Sequence, residues 1–202
     1  SLLAVACHDR ARVWRVAGDA KPALLATLEV PGTHGGFDGL AFSPDHALLV
    51  TFGEEGIARV WRTASLAQPY RSFTHQQAGA RPSSITFATF TADSHRIATT
   101  GDDGFAQIWN VVDDRLERSI EGALTGGQFD VSAAVRRLFG TLTPDDKLVT
   151  LVFSGSGGKF DIATGERLGT FQHGGAVAGG EASPDGTLAV SCGLDGISKV
   201  VE

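Results

Sequence analysis

Methionine is absent from this chain, tyrosine occurs once, and cysteine occurs only twice, at Cys7 and Cys192. No C-x-x-C pair exists, so neither a disulfide-stapled scaffold nor a thiolate zinc site is written here. No run of about 18 apolar residues is present, which excludes a membrane-crossing helix. No signal-peptide pattern is visible, although a chain that opens mid-repeat would not show one. Basic residues are also few. Lysine and arginine total 17 against 23 acids, for a net charge of −6, and Arg136-Arg137 is the only adjacent basic pair. That balance argues against a nucleic-acid backbone as the main partner. The six histidines show no metal-ligand spacing. The expectation is therefore no membrane, no metal, no cofactor and no catalytic residue.

What the chain does have is a beat. Arg12-Val13-Trp14, Arg59-Val60-Trp61 and Gln107-Ile108-Trp109 close three short strands, with steps of 47 and 48 residues between the tryptophans. A fixed period of this size marks a repeat architecture. Other parts keep the same time. Ser43-Pro44-Asp45 and Thr91-Ala92-Asp93 each end 16 residues before their Trp. Thr143-Pro144-Asp145 and Ser183-Pro184-Asp185 are further copies, followed by Phe160 and Val201 in the aromatic slot. Glu55-Gly56, Asp103-Gly104 and Asp195-Gly196 lie between tripeptide and aromatic.

Each unit reads as four strands. Residues 37–42 form an apolar run ended by a Pro-Asp turn, and residues 48–52 fit a pleated surface. The acidic-Gly pair supplies a tight reversal, residues 57–62 alternate, and residues 71–74 add a polar outer strand. Four strands in roughly 40 to 50 residues is the arithmetic of a β-propeller blade.

These motifs resemble the WD-repeat family over nearly the whole chain. The resemblance implies a buried hydrogen-bonded tetrad, which falls here on His75, Thr99, Asp103 and Trp109. The second unit offers His34, Thr51 and Trp61 with Glu55 in the Asp slot, and the fifth offers His173, Ser191 and Asp195 with Val201 for Trp. The implied fold is all-β, a propeller of four-stranded antiparallel blades. Three complete and two partial blades are expected, in the approximate register 1–30, 31–74, 75–120, 121–171 and 172–202. The family most often closes about seven blades, so a larger ring is expected, with the missing Met in agreement. A compact ring of these five blades alone is the alternative.

The Gly-rich stretch Ser154-Gly155-Ser156-Gly157-Gly158-Lys159 fails every phosphate-loop and nucleophile-elbow spacing and reads as a hairpin of the fourth blade. Cys7 and Cys192 end matching second strands, which predicts two buried free thiols and suits a reducing, cytoplasmic compartment. His46 and His95 lie at turns and are expected to be solvated.

The resemblance implies a non-catalytic interaction scaffold or a sensor module of a signalling protein. Its partners would be other proteins or the remaining blades of its own propeller. An axial metal or cofactor enzyme would need acids or histidines on the first strands, where Gly39-Leu40-Ala41-Phe42 and Ile85-Thr86-Phe87 stand instead. A structural subunit of a large assembly is a third reading. Two enlarged links, residues 75–83 and 121–134, open on one rim. They nominate Gln77, Arg81, Gln128, Phe129 and Asp130 as a partner surface, with Arg81 and Phe129 as anchors.

Overall fold

Among the described residues, eighteen strands run in chain order, each paired to its sequence neighbour within a sheet. They are seen in a computed structural model describing residues 1–7, 9–18, 20–29, 36–121, 138–143, 145–152, 156–172, 176–183 and 188–201. The first sheet holds β1 (Leu2–Cys7), β2 (Arg10–Arg15) and β3 (Ala23–Leu28). The second holds β4 (Phe37–Phe42), β5 (Leu48–Gly53), β6 (Ile57–Arg62) and β7 (Arg71–Thr74). The third holds β8 (Ile85–Phe90), β9 (Arg96–Gly101), β10 (Phe105–Asn110) and β11 (Arg115–Glu121). The fourth holds β12 (Leu138–Leu142), β13 (Lys147–Val152), β14 (Ser156–Asp161) and β15 (Arg167–Gln172). The fifth holds β16 (Val177–Ala182), β17 (Ala189–Gly193) and β18 (Ser198–Val201). Three sheets thus have four strands and two have three. Of the Gly-rich stretch, Ser156 to Lys159 belong to β14, and its hairpin residues fall outside the described ones.

Short turns make these meanders. Gly56, Gly104 and Gly196 take positive φ between β-hairpin strands, which a side chain would resist. At Gly56 the constraint is doubled, because a Cβ there would sit 2.6 Å from the Ser83 carbonyl oxygen.

Consecutive sheets pack face to face, β1 on β4, β4 and β5 on β8, β8 and β9 on β12, and β12 and β13 on β16. Three of these four junctions are filled by an aromatic from the later sheet. Trp61 packs with Ala11, Val13 and Leu28 of the first sheet, and Trp109 packs with Val50, Ala58 and Phe73 of the second. The Phe73 and Trp109 rings lie 5.3 Å apart. Phe160 does the same against Ala98, Ala106 and Ile108. Burying one indole removes about 200 Å² from water, a contribution of about 5 kcal/mol before entropic costs.

The turns also latch one sheet to the next. In three of the Ser/Thr-x-Asp tripeptides the hydroxyl donates to the Asp carboxylate at 2.5 Å, at Ser43–Asp45, Thr91–Asp93 and Thr143–Asp145. The following left-handed residue reaches back. The Ser94 hydroxyl accepts from the Asp45 N–H at 3.2 Å, and the Asp146 carboxylate accepts from the Ala92 N–H at 3.0 Å. His46 is the matching left-handed residue of the second sheet and is exposed, as is His95.

The cysteines differ from expectation. Both are free, but both are exposed. Their positions are also not equivalent. Val5 pairs with Arg12, whereas Thr51 pairs with Arg59 and Ser191 with Lys199, so the first hairpin is one residue shorter. Counted from the aromatic slot, Cys7 matches Gly53 and Cys192 matches Phe52. One residue of offset turns a strand side chain to the other face. Cys7 therefore lies on the outer face of the first sheet and Cys192 on the outer face of the fifth, where no described sheet covers them.

Candidate functional site

The third sheet carries the most complete polar constellation. Thr99 on β9 pairs with Gln107 on β10, which places Trp109 and His75 around its hydroxyl. The Trp109 indole Nε1–H donates to Thr99 Oγ1 at 3.0 Å. Thr99 Oγ1 lies 2.8 Å from His75 Nδ1, and His75 Nε2 lies 3.2 Å from Asp103 Oδ1. An indole only donates and a carboxylate only accepts, so the chain of protons runs from Trp109 through Thr99 and His75 to Asp103. His75 and Thr99 are both 0% exposed. Their polar atoms are thus spoken for, and the Asp-His-Thr sequence of groups is a buried lock.

Asp103 is held from several sides. Burial pushes its carboxyl up, but His75, the Phe105 N–H and Gln77 together outweigh this and hold it below the usual carboxylate range. Gly101 is required beside it, since a Cβ there would lie 2.7 Å from His75 Nε2 and 3.1 Å from Asp103 Oδ1.

The other sheets vary the lock. Trp61 Nε1–H donates to Thr51 Oγ1 at 3.0 Å, and Glu55, standing in the Asp slot, pairs with the buried Arg59. His34 and His173 lie outside the described residues. In the first sheet Val5 faces the Thr position, so Trp14 has no hydroxyl there to bond. Phe160 fills the fourth seat without an indole N–H, and Ser191 is buried at the Thr position of the fifth sheet.

The residue two before each Trp was overlooked in the sequence. That position is Arg59 in the second sheet, bonded to Glu55, and Gln107 in the third, whose Nε2–H donates to the Gln76 carbonyl at 2.7 Å. In the fifth sheet it is Lys199, which donates to the Gln172 carbonyl. A long polar side chain recurring inside Arg-Val-Trp and Gln-Ile-Trp was the available signal. Glu181 on β16 is a second omission. It accepts from the Thr141 hydroxyl at 3.0 Å, tying two inner strands.

The lock positions a rim. The β7–β8 link leaves His75, whose N–H donates to the Gly56 carbonyl and whose carbonyl accepts from the Ser83 N–H. The β5–β6 turn and the β7–β8 link therefore share one edge. Gln77 and Arg81 both stand on this link, Gln77 half-buried with its Nε2–H 3.4 Å from Ser119 Oγ, and Arg81 exposed. Gln77 lines an open groove of about 540 Å³ together with Phe73, Gln76, Trp109, Arg115 and Leu116 among others. Gln128, Phe129 and Asp130 lie outside the described residues.

The sequence model of the WD domain, G-beta repeat, matches residues 22–62 and 68–110. Over those residues the chain is similar to the WD-repeat family. The two matched repeats are offset from the sheets: residues 22–62 take in β3 with β4, β5 and β6, and residues 68–110 take in β7 with β8, β9 and β10. Each WD repeat here thus supplies the outer strand of one blade and the three inner strands of the next, which ties neighbours covalently as well as by packing. No curated protein matches this chain in sequence. WD repeats generally mediate protein–protein interaction, and domains built from them are typically non-catalytic scaffolds.

Proposed function

We infer that this chain is a non-catalytic interaction scaffold, cytoplasmic, whose partner is a protein that docks on the rim carrying Gln77 and Arg81. The observation that supports the reading is the division of labour in the third blade. The buried lock of Trp109, Thr99, His75 and Asp103 engages the indole, the hydroxyl, both imidazole nitrogens and one carboxylate oxygen with one another, beside the link that follows β7. That link then carries Arg81, exposed, and Gln77, half-buried against Ser119 and lining the groove. Arginine at such a position is a common interface anchor. Gln128, Phe129 and Asp130 extend the same proposed surface along the next link. Further blades completing a larger ring, as part of a longer signalling protein, belong to this reading too.

The test compares what is retained from extract by wild type, Arg81→Ala, and His46→Ala on the opposite rim. A partner kept by wild type and His46→Ala but lost about tenfold or more from Arg81→Ala supports the rim as the docking surface. Equal retention by all three contradicts it.

A further inference from the structure

Two grooves of the same kind run beside the outer strands, one between the second and third sheets and one between the third and fourth. The first is the groove that Gln77 lines. The second, of about 340 Å³, is lined by Arg118, Ser119, Glu121, Phe160, Gly165 and Arg167 among others. Strand pairing gives the correspondence between them. Arg71 pairs with Val60, one residue before Trp61, and Arg118 pairs with Ile108, one residue before Trp109, so the two arginines hold the same place. Across the groove, Asp114 and Gly165 each stand five residues after the aromatic of their sheet, Trp109 or Phe160. Both take positive φ, 58° and 77°. Leu116 pairs with Trp109 as Arg167 pairs with Phe160.

The grooves differ in charge at these matched places. In the first, Arg71 Nε lies 3.5 Å from Asp114 Oδ1, so a carboxylate of the chain itself answers the guanidinium. In the second, glycine stands in the place of Asp114, and a Cβ there would lie 3.2 Å from Arg118 Nη1. Arg167 stands in the place of Leu116, its guanidinium 5.6 Å from the centre of the Phe160 ring. Arg118 Nη2 donates to the Ala163 carbonyl at 2.7 Å, which fixes the side chain without neutralising it. Among the described residues neither Arg118 nor Arg167 has an ion-pair partner, although Glu121 lines the same groove. One groove thus closes its own charge pair, and the next presents two guanidiniums.

We propose that this second groove takes an acidic side chain of a partner protein, an aspartate or glutamate whose carboxylate fills the place that Asp114 fills in the neighbouring groove. The internal pair decides the chemistry, because the same arginine position meets a carboxylate there. A guanidinium held over a ring keeps its edge N–H groups for such directional pairing. The chain's net charge of −6 repels acidic segments at long range, so the attraction is local to the groove. The site adjoins the rim through Ser119, whose hydroxyl lies 3.4 Å from Gln77 Nε2, but the inference stands without the Arg81 surface.

The experiment measures fluorescence anisotropy of a short rhodamine-labelled peptide of alternating Glu and Gly, with its Gln counterpart as control, at low salt. The Glu peptide is expected to bind with a Kd below about 1 mM, and about tenfold or more tighter than the Gln peptide. Arg167→Gln, at an exposed position, should weaken it about fivefold, while Arg15→Gln on the first sheet leaves it unchanged. Gly165→Asp supplies the carboxylate from within, and should bind the Glu peptide about fivefold more weakly than Gly165→Asn, which has the same shape without the charge. Equal affinity for the Glu and Gln peptides overturns the proposal, as does an Arg167→Gln chain that binds like wild type. Displacement by inorganic phosphate at a concentration about a hundredfold below that needed of acetate would assign the groove to phosphate and overturn the carboxylate.

Discussion

Thr99→Val keeps the shape of the side chain and removes one hydroxyl, yet that hydroxyl serves two buried neighbours. The Trp109 indole N–H loses its acceptor at 3.0 Å, and His75 Nδ1 loses its partner at 2.8 Å. Thr99 and His75 are 0% exposed and Trp109 is 8% exposed, so water does not readily replace the lost bonds. Each buried polar group left unpaired costs about 1–3 kcal/mol, and the added methyl returns less than about 1 kcal/mol. The net loss is about 2–5 kcal/mol, which for a chain of this size lowers Tm by roughly 5–15 °C. Urea denaturation and thermal melting would both report it. Thr164→Val is the control, because Thr164 is exposed and its hydroxyl accepts only the Glu166 N–H at 3.2 Å among the described residues. That variant is expected within about 0.5 kcal/mol of wild type. Combining Thr99→Val with Trp109→Phe removes donor and acceptor together, so the double variant should lose less than the sum of the two singles by about 1 kcal/mol. A Thr99→Val loss no larger than that of Thr164→Val would refute the view that the lock carries stability.

Gly101→Ala places a methyl 2.7 Å from the fixed His75 ring and should cost about 1–3 kcal/mol in urea denaturation, against no measurable effect for Gly169→Ala, where the space is open. Glu55→Gln leaves the buried Arg59 guanidinium without its carboxylate and should cost about 3 kcal/mol, with much of the loss recovered by adding Arg59→Met. Acid should act through Asp103. Its carboxyl titrates below its unfolded value, so its contribution is present above about pH 4 and is lost as pH falls through the folded pKa. Stability measured from pH 6 down to about pH 3 should therefore fall more steeply in wild type than in Asp103→Asn. Equal slopes would remove Asp103 from the account.

The parts legible in the sequence are those fixed by local spacing. Ser43 and Asp45, Thr91 and Asp93, and Thr143 and Asp145 stand two apart, and that distance alone allows the hydroxyl–carboxylate bond that closes each turn. The spacing from Thr99 to Trp109 likewise follows from a hairpin of constant length, so indole and hydroxyl meet once the strands pair. Cys7 was misplaced for the same reason in reverse. Its hairpin is one residue shorter than the others, and strand ends that look alike in sequence then point to opposite faces. The latches at Ser94 and Asp146 were invisible because their partners, Asp45 and Ala92, lie about one whole repeat away and meet only when sheets stack. Arg59, Gln107 and Lys199 were visible as a recurring position but had no assigned role until the loops they hold were placed.

The most direct test of the stacked, indole-locked blades is hydrogen exchange at the three tryptophan indoles, followed by NMR on chain labelled at tryptophan. Trp61 and Trp109 donate to buried threonines at 3.0 Å, whereas Trp14 is half-buried and its sheet has Val5 at the threonine position. Two slowly exchanging indole protons and one fast are expected, with Thr51→Val and Thr99→Val each releasing one of the slow pair. Three indoles exchanging at similar rates would contradict the account.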